Sequence, residues 1–260
     1  MNLSLGFSPC PNDTFIFYHL LHKPLELEFR PVIEDVEALN RKALEHDLDV
    51  TKVSIAVYPL IKDKYVLLDS GAALGFNCGP ILITKRGNDV SEMHKCLIAI
   101  PGEHTTANLF VTKAYPHATS KKEMLFSEIE DAVLGGEVDA GVIIHESRFT
   151  YENKGLHKVL DLGEWWHEKT QMPIPLGGIV AKRSLGDELI GRINSLIRQS
   201  VQFALNNPEA PMLYVRQHAQ EMDEEVMRRH IALYVNGHSI SMGKVGREAI
   251  SQLLTSRILV

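Results

Sequence analysis

The chain has 260 residues, a length that suits two domains of medium size better than one core or three. Hydrophobic residues make up 45% and charged residues 23% of the chain, which matches an ordinary globular protein and excludes a disordered or fibrous one. The net charge is −6 and the Lys and Arg residues are scattered, so the sequence argues against a nucleic-acid partner.

The residues at the start of the sequence do not predict a targeting signal. MNLSLGF has no basic region before a long apolar stretch, and no later run approaches the roughly 18 apolar residues of a membrane span. We therefore expect a cytoplasmic protein without a membrane partner. The three cysteines, Cys10, Cys78 and Cys96, are widely spaced and form no CxxC motif. This pattern predicts reduced thiols, with neither a disulfide framework nor a metal site.

Short apolar runs alternate with helical patterns in the first part of the chain. The runs LSLGF, LDVTKVS, CLIAIPG and VDAGVII are typical of strands, and helical patterns follow the first three of them. This alternation is typical of βαβ units. It predicts an α/β fold with mainly parallel sheets that are covered by helices on both faces.

Two segments that contain Gly and Pro, 71–86 and 173–183, are typical of extended chain that crosses between two α/β units. We therefore predict a larger lobe formed by residues 1–85 and 181–260, and a smaller lobe formed by residues 86–180. The chain after the second crossing is helical, so the larger lobe ends in a helical tail. Ligands of such folds bind between the domains, at the carboxyl ends of strands.

The segment Ser-Pro-Cys-Pro-Asn-Asp at 8–13 follows the first predicted strand. Asn12 or Asp13 can cap the next helix by accepting hydrogen bonds from its first free amides. The two prolines stiffen the loop, so the side chains of Ser8 and Asn12 are also suited to hold a ligand with little loss of entropy. From these residues alone, two interpretations of the segment remain open: a simple helix cap and a ligand-binding wall.

A second turn, VTKVSI at 50–55, also joins a strand to a helix. Ser54 is a natural cap, and an ordinary βα turn explains the segment. In the alternative interpretation, Lys52 and Ser54 point into the same cleft as Ser8 and Asn12, because both turns lie on the same edge of the sheet.

The segment IPGEHTTANL at 100–109 combines a strand, a glycine turn and two threonines at the start of a helix. Free amides at a helix start carry partial positive charge and bind carboxylates or phosphates. The adjacent hydroxyls of Thr105 and Thr106, together with Gly102, favour anion binding over an unoccupied cap. The side chain of His104 is equally compatible with exposure to solvent.

His145 directly follows the apolar run at 141–144. A single histidine is more often a structural residue with satisfied hydrogen bonds. At the carboxyl end of a strand in a cleft, however, an imidazole that titrates near neutral pH can act as a general base. Both interpretations remain open. Glu146 is expected to point away from His145, since neighbours in an extended chain face opposite sides.

Two further clusters are interpreted as structural. Trp165 and Trp166 precede the second crossing, where aromatic rings usually serve packing, although they can also line a flat ring system. In the helical tail, residues 228–230 (Arg-Arg-His) are typical of a solvated helix face.

Six motifs, in their order and spacing, closely resemble one family along the whole chain: SPCPNDTFIF, TKVS, IPGEHTTANL, GVIIHESRFTY, PIPLGG and YVNGHSISMG. The family is the 1,4-dihydroxy-6-naphthoate synthases of the futalosine route to menaquinone. The resemblance implies the fold of type II periplasmic binding proteins, with two α/β lobes around a cleft.

The resemblance also implies a lyase reaction that converts cyclic dehypoxanthine futalosine to 1,4-dihydroxy-6-naphthoate and dihydroxyacetone. It implies His145 as the proton acceptor, and no cofactor is expected. The implied substrate contacts are Lys52, Val53 and Ser54 in one turn, and Thr105, Thr106 and Ala107 around the anionic or polar end. Ser8 and Asn12 then form the near wall of the cleft.

Two alternatives to this function stay open. A chorismate dehydratase of the same pathway shares the two-lobed fold and acts on another ring-bearing carboxylate. A non-catalytic cytosolic solute-binding protein needs the cleft but no base. The expected partner is a small-molecule carboxylate, and the sequence leaves the oligomeric state open, a homo-oligomer included.

Overall fold

A computed structural model describes residues 2–23, 27–219 and 223–255 of the chain. The described residues form two β-sheets with helices around them, which confirms the predicted α/β fold. Within these ranges, no helix is long and apolar enough to cross a lipid bilayer.

The secondary-structure elements follow in chain order. The strands are Asn2–Phe7 (β1), Glu28–Ile33 (β2), Val50–Ser54 (β3), Tyr65–Leu67 (β4), Ala73–Gly75 (β5), Ile81–Lys85 (β6), Ile98–Ile100 (β7), Lys121–Glu123 (β8), Ala140–Ile143 (β9), Leu156–Asp161 (β10) and Ile174–Lys182 (β11). The helices are Pro11–His22 (α1), Val36–Leu44 (α2), Tyr58–Ile61 (α3), Thr106–Ala114 (α4), Ile129–Gly135 (α5), Leu162–Thr170 (α6), Asp187–Asn206 (α7), Met212–His218 (α8), Glu224–Tyr234 (α9), Gly237–Ile240 (α10) and Gly243–Thr255 (α11). Short 3₁₀ turns at Ile55–Val57 and His145–Phe149 lead away from β3 and β9.

Both sheets mix parallel and antiparallel neighbours. The first has the order β2, β1, β3, β11 and β4, with β5 beside β11, and the second has the order β10, β6, β9, β7 and β8. Strand β1 is parallel to β2 and β3, and β7 is parallel to β8 and β9. Strand β11 is antiparallel to its neighbours, and so is β6. The expectation of mainly parallel sheets is therefore wrong, because β6 and β11 enter their sheets from a crossing and not through a helical crossover.

The chain crosses between the sheets twice, and sheet membership changes before the predicted limits of the lobes at 85 and 180. Residues 81–85 already form β6 of the second sheet, and residues 174–182 form β11 of the first. Both strands are almost fully buried, so each belongs to the sheet that covers its apolar side chains. The division into two lobes itself stays a prediction.

The first sheet packs against α1 and the helical tail. Leu5 and Phe7 of β1 are fully buried, as are Ile193 and Ile197 of α7. The 3.6-residue spacing of apolar residues in this part of the sequence had predicted such a buried helix face. Helix α7 ends at Asn206.

The core between α4 and α6 is built around Trp166. Its indole ring is fully buried, packs edge-on against Phe110 at 5.5 Å and donates a hydrogen bond to the carbonyl of Pro173 at 3.0 Å. Trp165 is only partly buried beside the same core. The interpretation of this pair as packing residues is thus confirmed for Trp166.

A close approach of two segments fixes the first crossing against α6. A Cβ atom added at Gly163 would lie 2.3 Å from the backbone carbonyl of Cys78, closer than any real contact. We therefore expect Gly163→Ala to lower the free energy of unfolding by about 1–3 kcal/mol, because the backbone must move. The control is Gly191→Ala in α7, where nothing lies within 4 Å and helix propensity predicts a gain of up to about 1 kcal/mol. Urea unfolding measures both, and equal effects would contradict the packing argument.

Candidate active site

Strands β1 and β3 of the first sheet and strands β7 and β9 of the second end at a cavity that lies between the sheets. The cavity holds about 660 Å³ of empty space, its open mouth included. All predicted site residues line it: Ser8, Asn12, Lys52, Val53, Ser54, Thr105, Thr106, Ala107 and His145. Their individual roles in binding and catalysis stay predictions.

The opening corner is organised by Asp13 and not by a helix cap. Cys10 occupies the N-cap position of α1 and its side chain makes no capping hydrogen bond, so the predicted cap at Asn12 or Asp13 is wrong. The Asp13 carboxylate instead accepts from the hydroxyl of Ser8 at 2.7 Å, its amide at 3.2 Å and the Asn12 amide group at 2.9 Å. Proline at the first helical position leaves fewer free amides to cap, which releases Asp13 for this role.

Lys52 of β3 forms a buried ion pair with Asp13 of α1. The ammonium nitrogen lies 2.7 Å from Asp13 Oδ1, and the two side chains are 6% and 3% exposed. Gly177 of β11 leaves room for the lysine stem, since a Cβ there would lie 3.0 Å from Lys52 Cε. The pair therefore places a compensated positive charge on the cavity wall.

Ser54 does not cap a helix, contrary to one of its two predicted interpretations. The chain continues as a 3₁₀ turn and the Ser54 side chain makes no capping bond. Its hydroxyl accepts from the amide group of Asn40 at 3.1 Å, and its backbone amide donates to Asn40 Oδ1 at 2.9 Å. Asn40, on α2, thus fixes the orientation of this turn, a role that no local sequence signal indicates.

Helix α4 presents its N-terminus to the cavity. The helix begins at the two threonines, as predicted, and Thr105 is its N-cap: the Thr105 hydroxyl accepts from the amide of Asn108 at 3.2 Å and donates to the carbonyl of Gly102 at 2.8 Å. The amides of Thr106 and Ala107 have no carbonyl partner within the helix, as at any helix start. They provide the partial positive charge at this wall of the cavity.

Contacts between the two sheets' elements close this side of the cavity. The hydroxyl of Thr106 donates to the carbonyl of Leu176 at 2.7 Å and accepts from the amide of Ala56 at 3.3 Å. Exposure to solvent was one expectation for His104. Its imidazole instead contacts Glu37, and the distance from Nδ1 to a carboxylate oxygen of Glu37 is 2.8 Å. The threonine hydroxyl is therefore engaged within the protein, and the free groups at this wall are amides.

His145 begins the turn after β9 with a left-handed backbone, at φ +58°. Its half-buried ring lies edge-on to Phe126 at 5.0 Å, and Nε2 has no hydrogen-bond partner among the described residues. Burial lowers the pKa of His145, and the carboxylates of Glu146 and Asp13 oppose this shift. The result is a neutral imidazole at neutral pH, with a ring nitrogen that is free to accept a proton.

The sequence analysis expected Glu146 to point away from His145, as neighbours in an extended chain do. This expectation is wrong. The backbone turns at this point, so a carboxylate oxygen of Glu146 lies within 4.8 Å of a ring nitrogen of His145, in a side chain that is 6% exposed. The two-residue alternation of a strand no longer applies once the 3₁₀ turn has begun.

The turn that carries His145 is held in place by its other residues. Arg148 donates to the carbonyl of Gly79 at 2.5 Å and pairs with the Asp161 carboxylate at 2.8 Å. The guanidinium of Arg229 lies over the Phe149 ring at 4.5 Å, which joins α9 to the same turn. These contacts stabilise a backbone conformation that is unfavourable for a histidine.

His230 is the functional candidate that the sequence analysis missed. Its interpretation as part of a solvated face is wrong, because the ring is 1% exposed and lines the cavity. Its Nε2 lies 2.9 Å from Asn12 Oδ1, and its ring centroid lies 6.1 Å from that of His145. Burial holds the pKa of His230 well below its ordinary value, and the nearby positive charges of Arg148 and Lys52 lower it further.

The signal for His230 was present in the spacing of apolar residues. Met227, His230, Ile231 and Tyr234 follow the helical pattern and form the buried face of α9. A helical wheel would have placed His230 inside, whereas the charges of the two preceding arginines suggested the opposite.

The hydrogen bond between His230 and Asn12 gives a testable stability effect. We expect His230→Leu to lower the free energy of unfolding by about 1–3 kcal/mol, because it leaves the buried Asn12 oxygen without a donor. His230→Gln, whose amide can donate in place of Nε2, should recover much of this loss. Chemical denaturation compares the two variants, and a glutamine variant no more stable than the leucine variant would argue against this role.

The sequence pattern of a protein family described as "Menaquinone biosynthesis" matches residues 3–256. The chain belongs to this menaquinone-biosynthesis family. The match spans both sheets and the cavity between them, so it includes every residue of the site described above.

Two curated proteins are similar to this menaquinone-biosynthesis protein along nearly its whole length. One from Thermus thermophilus is 47% identical over 253 residues, which cover 96% of this chain and 92% of the relative. One from Streptomyces coelicolor is 43% identical over 260 residues, which cover 97% of this chain and 92% of the relative. Both are named 1,4-dihydroxy-6-naphtoate synthase. The predicted family is confirmed, and the chain is an enzyme in menaquinone biosynthesis.

Solved structures confirm the fold of this menaquinone-biosynthesis protein. A crystal structure of a protein from Archaeoglobus fulgidus is 36% identical, with a TM-score of 0.91 over 97% of this chain and 95% of that one. The ligand-binding component of an ABC-type import system from Staphylococcus aureus gives a TM-score of 0.71 at 13% identity, covering 98% and 91%. The periplasmic aliphatic sulphonate binding protein of Escherichia coli gives a TM-score of 0.65 at 10% identity. The match covers 99% of this chain and 88% of that one. The last two show the periplasmic-binding-protein-like fold alone.

Proposed function

We propose that this chain is a 1,4-dihydroxy-6-naphthoate synthase. In this role it is a carbon–carbon lyase that converts cyclic dehypoxanthine futalosine to 1,4-dihydroxy-6-naphthoate and dihydroxyacetone, in the cytoplasm. The names of both curated relatives support this activity. The observation that carries it is the position of His145, whose imidazole borders the same cavity as the start of α4 and Lys52.

The substrate carboxylate binds at the N-terminus of α4. The free amides of Thr106 and Ala107 donate to it, and the partial positive charge of the helix start attracts its negative charge. The Lys52 ammonium adds a second positive group, although its charge is already balanced by Asp13. The helix amides therefore supply the surplus positive potential that selects a small-molecule carboxylate.

His145 acts as the general base on the substrate held in this way. Its neutral imidazole accepts a proton from a carbon next to a carbonyl group, and an enolate forms. Fragmentation follows because it leaves an aromatic naphthoate, and the proton on the imidazole is available for return to the departing three-carbon fragment. Fixing the carboxylate in place brings the acidic C–H to the ring nitrogen.

Incubation of the purified chain with cyclic dehypoxanthine futalosine tests this proposal. We expect fluorescent naphthoate and one equivalent of dihydroxyacetone per substrate consumed. A parallel incubation with chorismate is the control for the related dehydratase activity, and its consumption in place of the first substrate would overturn the proposal. If calorimetry detects binding of cyclic dehypoxanthine futalosine but no product forms, the result would instead favour a solute-binding protein.

A further inference from the structure

Three possible metal ligands lie together beside the cavity. The Cys10 sulfur, a ring nitrogen of His145 and a carboxylate oxygen of Glu146 are all within 4.8 Å of one another. Cys10 and Glu146 are 3% and 6% exposed, while the half-buried ring of His145 reaches the cavity. Cys10 starts α1 beside the first sheet, whereas the other two residues follow β9 of the second sheet.

Two atoms of this cluster are buried without a partner. In the part of the chain that the structure describes, neither Nε2 of His145 nor Oε2 of Glu146 makes a hydrogen bond. The Lys52 ammonium, which acts on the cluster electrostatically, is already paired with Asp13 at 2.7 Å. A buried carboxylate oxygen that lacks a donor is expensive, so a cation bound at this point would remove an unfavourable feature of the site.

We propose that Cys10, His145 and Glu146 bind one divalent cation of the zinc class. Thiolate, imidazole and carboxylate are the ligand types that proteins offer to Zn²⁺. One thiolate and one carboxylate balance its charge of +2, and a neutral assembly is the least costly to bury. Zinc–ligand bonds of about 2.0–2.3 Å require the three atoms to approach one another by about 1 Å or more, within reach of side-chain rotation.

This site revises the expectation that the chain has no metal site. Sequence spacing could not show it, because Cys10 is far along the chain from the neighbours His145 and Glu146, and only the packing of the two sheets brings it to them. One consequence rests on the proposed function: a cation on His145 occupies the lone pair that a general base needs. Zinc bound here is therefore an inhibitor that competes with the substrate.

Cobalt titration of the chelator-treated, full-length chain tests the site directly. We expect one equivalent of Co²⁺ to bind with the strong near-ultraviolet absorption of a thiolate–cobalt bond, and Zn²⁺ to displace it. Cys10→Ser removes this absorption. Glu146→Gln keeps it but weakens Co²⁺ binding by about tenfold or more. The matched control is Cys96→Ser, which alters a buried cysteine outside the cluster and retains wild-type binding.

Several results would overturn the metal site: no thiolate–cobalt absorption in the wild type, wild-type affinity in Cys10→Ser, or loss of the absorption in Cys96→Ser. Circular dichroism checks the fold of each variant, and should Cys10→Ser fail to fold, unchanged affinity in Glu146→Gln overturns the site by itself. Turnover is a separate readout. A chain that binds Co²⁺ through Cys10 but never releases naphthoate supports the metal site and contradicts only the proposed function.

Discussion

Replacement of His145 by Asn is expected to lower kcat for naphthoate formation by about 100- to 10,000-fold, the usual contribution of a general base. Asparagine is the most informative substitute, because it tolerates the left-handed backbone at φ +58° better than alanine does. The fold and the affinity for the substrate should persist, since the helix amides and Lys52 remain. Stopped-flow fluorescence gives kcat, and calorimetry gives the dissociation constant.

The matched control for this variant is His117→Asn. His117 is an exposed histidine in a turn outside the cavity, so its replacement tests the loss of an imidazole without touching the site. We expect wild-type kcat from it. Near-normal turnover by His145→Asn would refute the role of this residue as the base, whereas equal losses in both variants would indicate a general effect on the protein. Both assays contain a chelator, so that bound metal does not contribute.

Asp13→Ala is expected to have the largest effect on stability, a loss of about 3–5 kcal/mol in the free energy of unfolding. Its carboxylate accepts from Ser8, Asn12 and Lys52 at once. Without it, the Lys52 ammonium, in a side chain that is 6% exposed, stays in the interior without its counter-charge. Urea unfolding followed by circular dichroism measures the change.

An exposed ion pair gives the control for Asp13→Ala. Glu92→Ala breaks the pair with Lys95, whose side chains are 59% and 64% exposed, and it should cost no more than about 1 kcal/mol. Adding Lys52→Met to Asp13→Ala removes the uncompensated charge, so the double variant should be more stable than the single one. A double variant that is less stable than Asp13→Ala would contradict the ion-pair explanation.

The place of the site could be predicted from the sequence because it depends on short-range rules. A polar turn after an apolar strand lies at the carboxyl edge of the sheet, and this rule brought Ser8, Lys52, Thr105 and His145 to one cavity. The cap at Thr105 was predictable for the same reason, since its partner amide lies three residues away.

The partners within the site could not be predicted, because they come from distant parts of the chain. Asp13 looked like a local helix cap, yet it pairs with Lys52 of β3. His230 looked solvated beside two arginines, yet its Nε2 donates a hydrogen bond to Asn12 Oδ1 on the opening corner. Glu146 was expected to face away from His145, and only the backbone turn after β9 reverses this.

The sequence alone determined the α/β class, the strands β1, β3, β7 and β9, and the turns that meet at the cavity, because these follow from periodicity and from residue preferences over a few positions. The tertiary structure decided which strands run antiparallel, which charges pair and where Cys10 meets His145. These features depend on which segments share a desolvated interior, where an unpaired charge or polar atom is costly and partners are chosen in space. Distance along the chain carries no information about that choice.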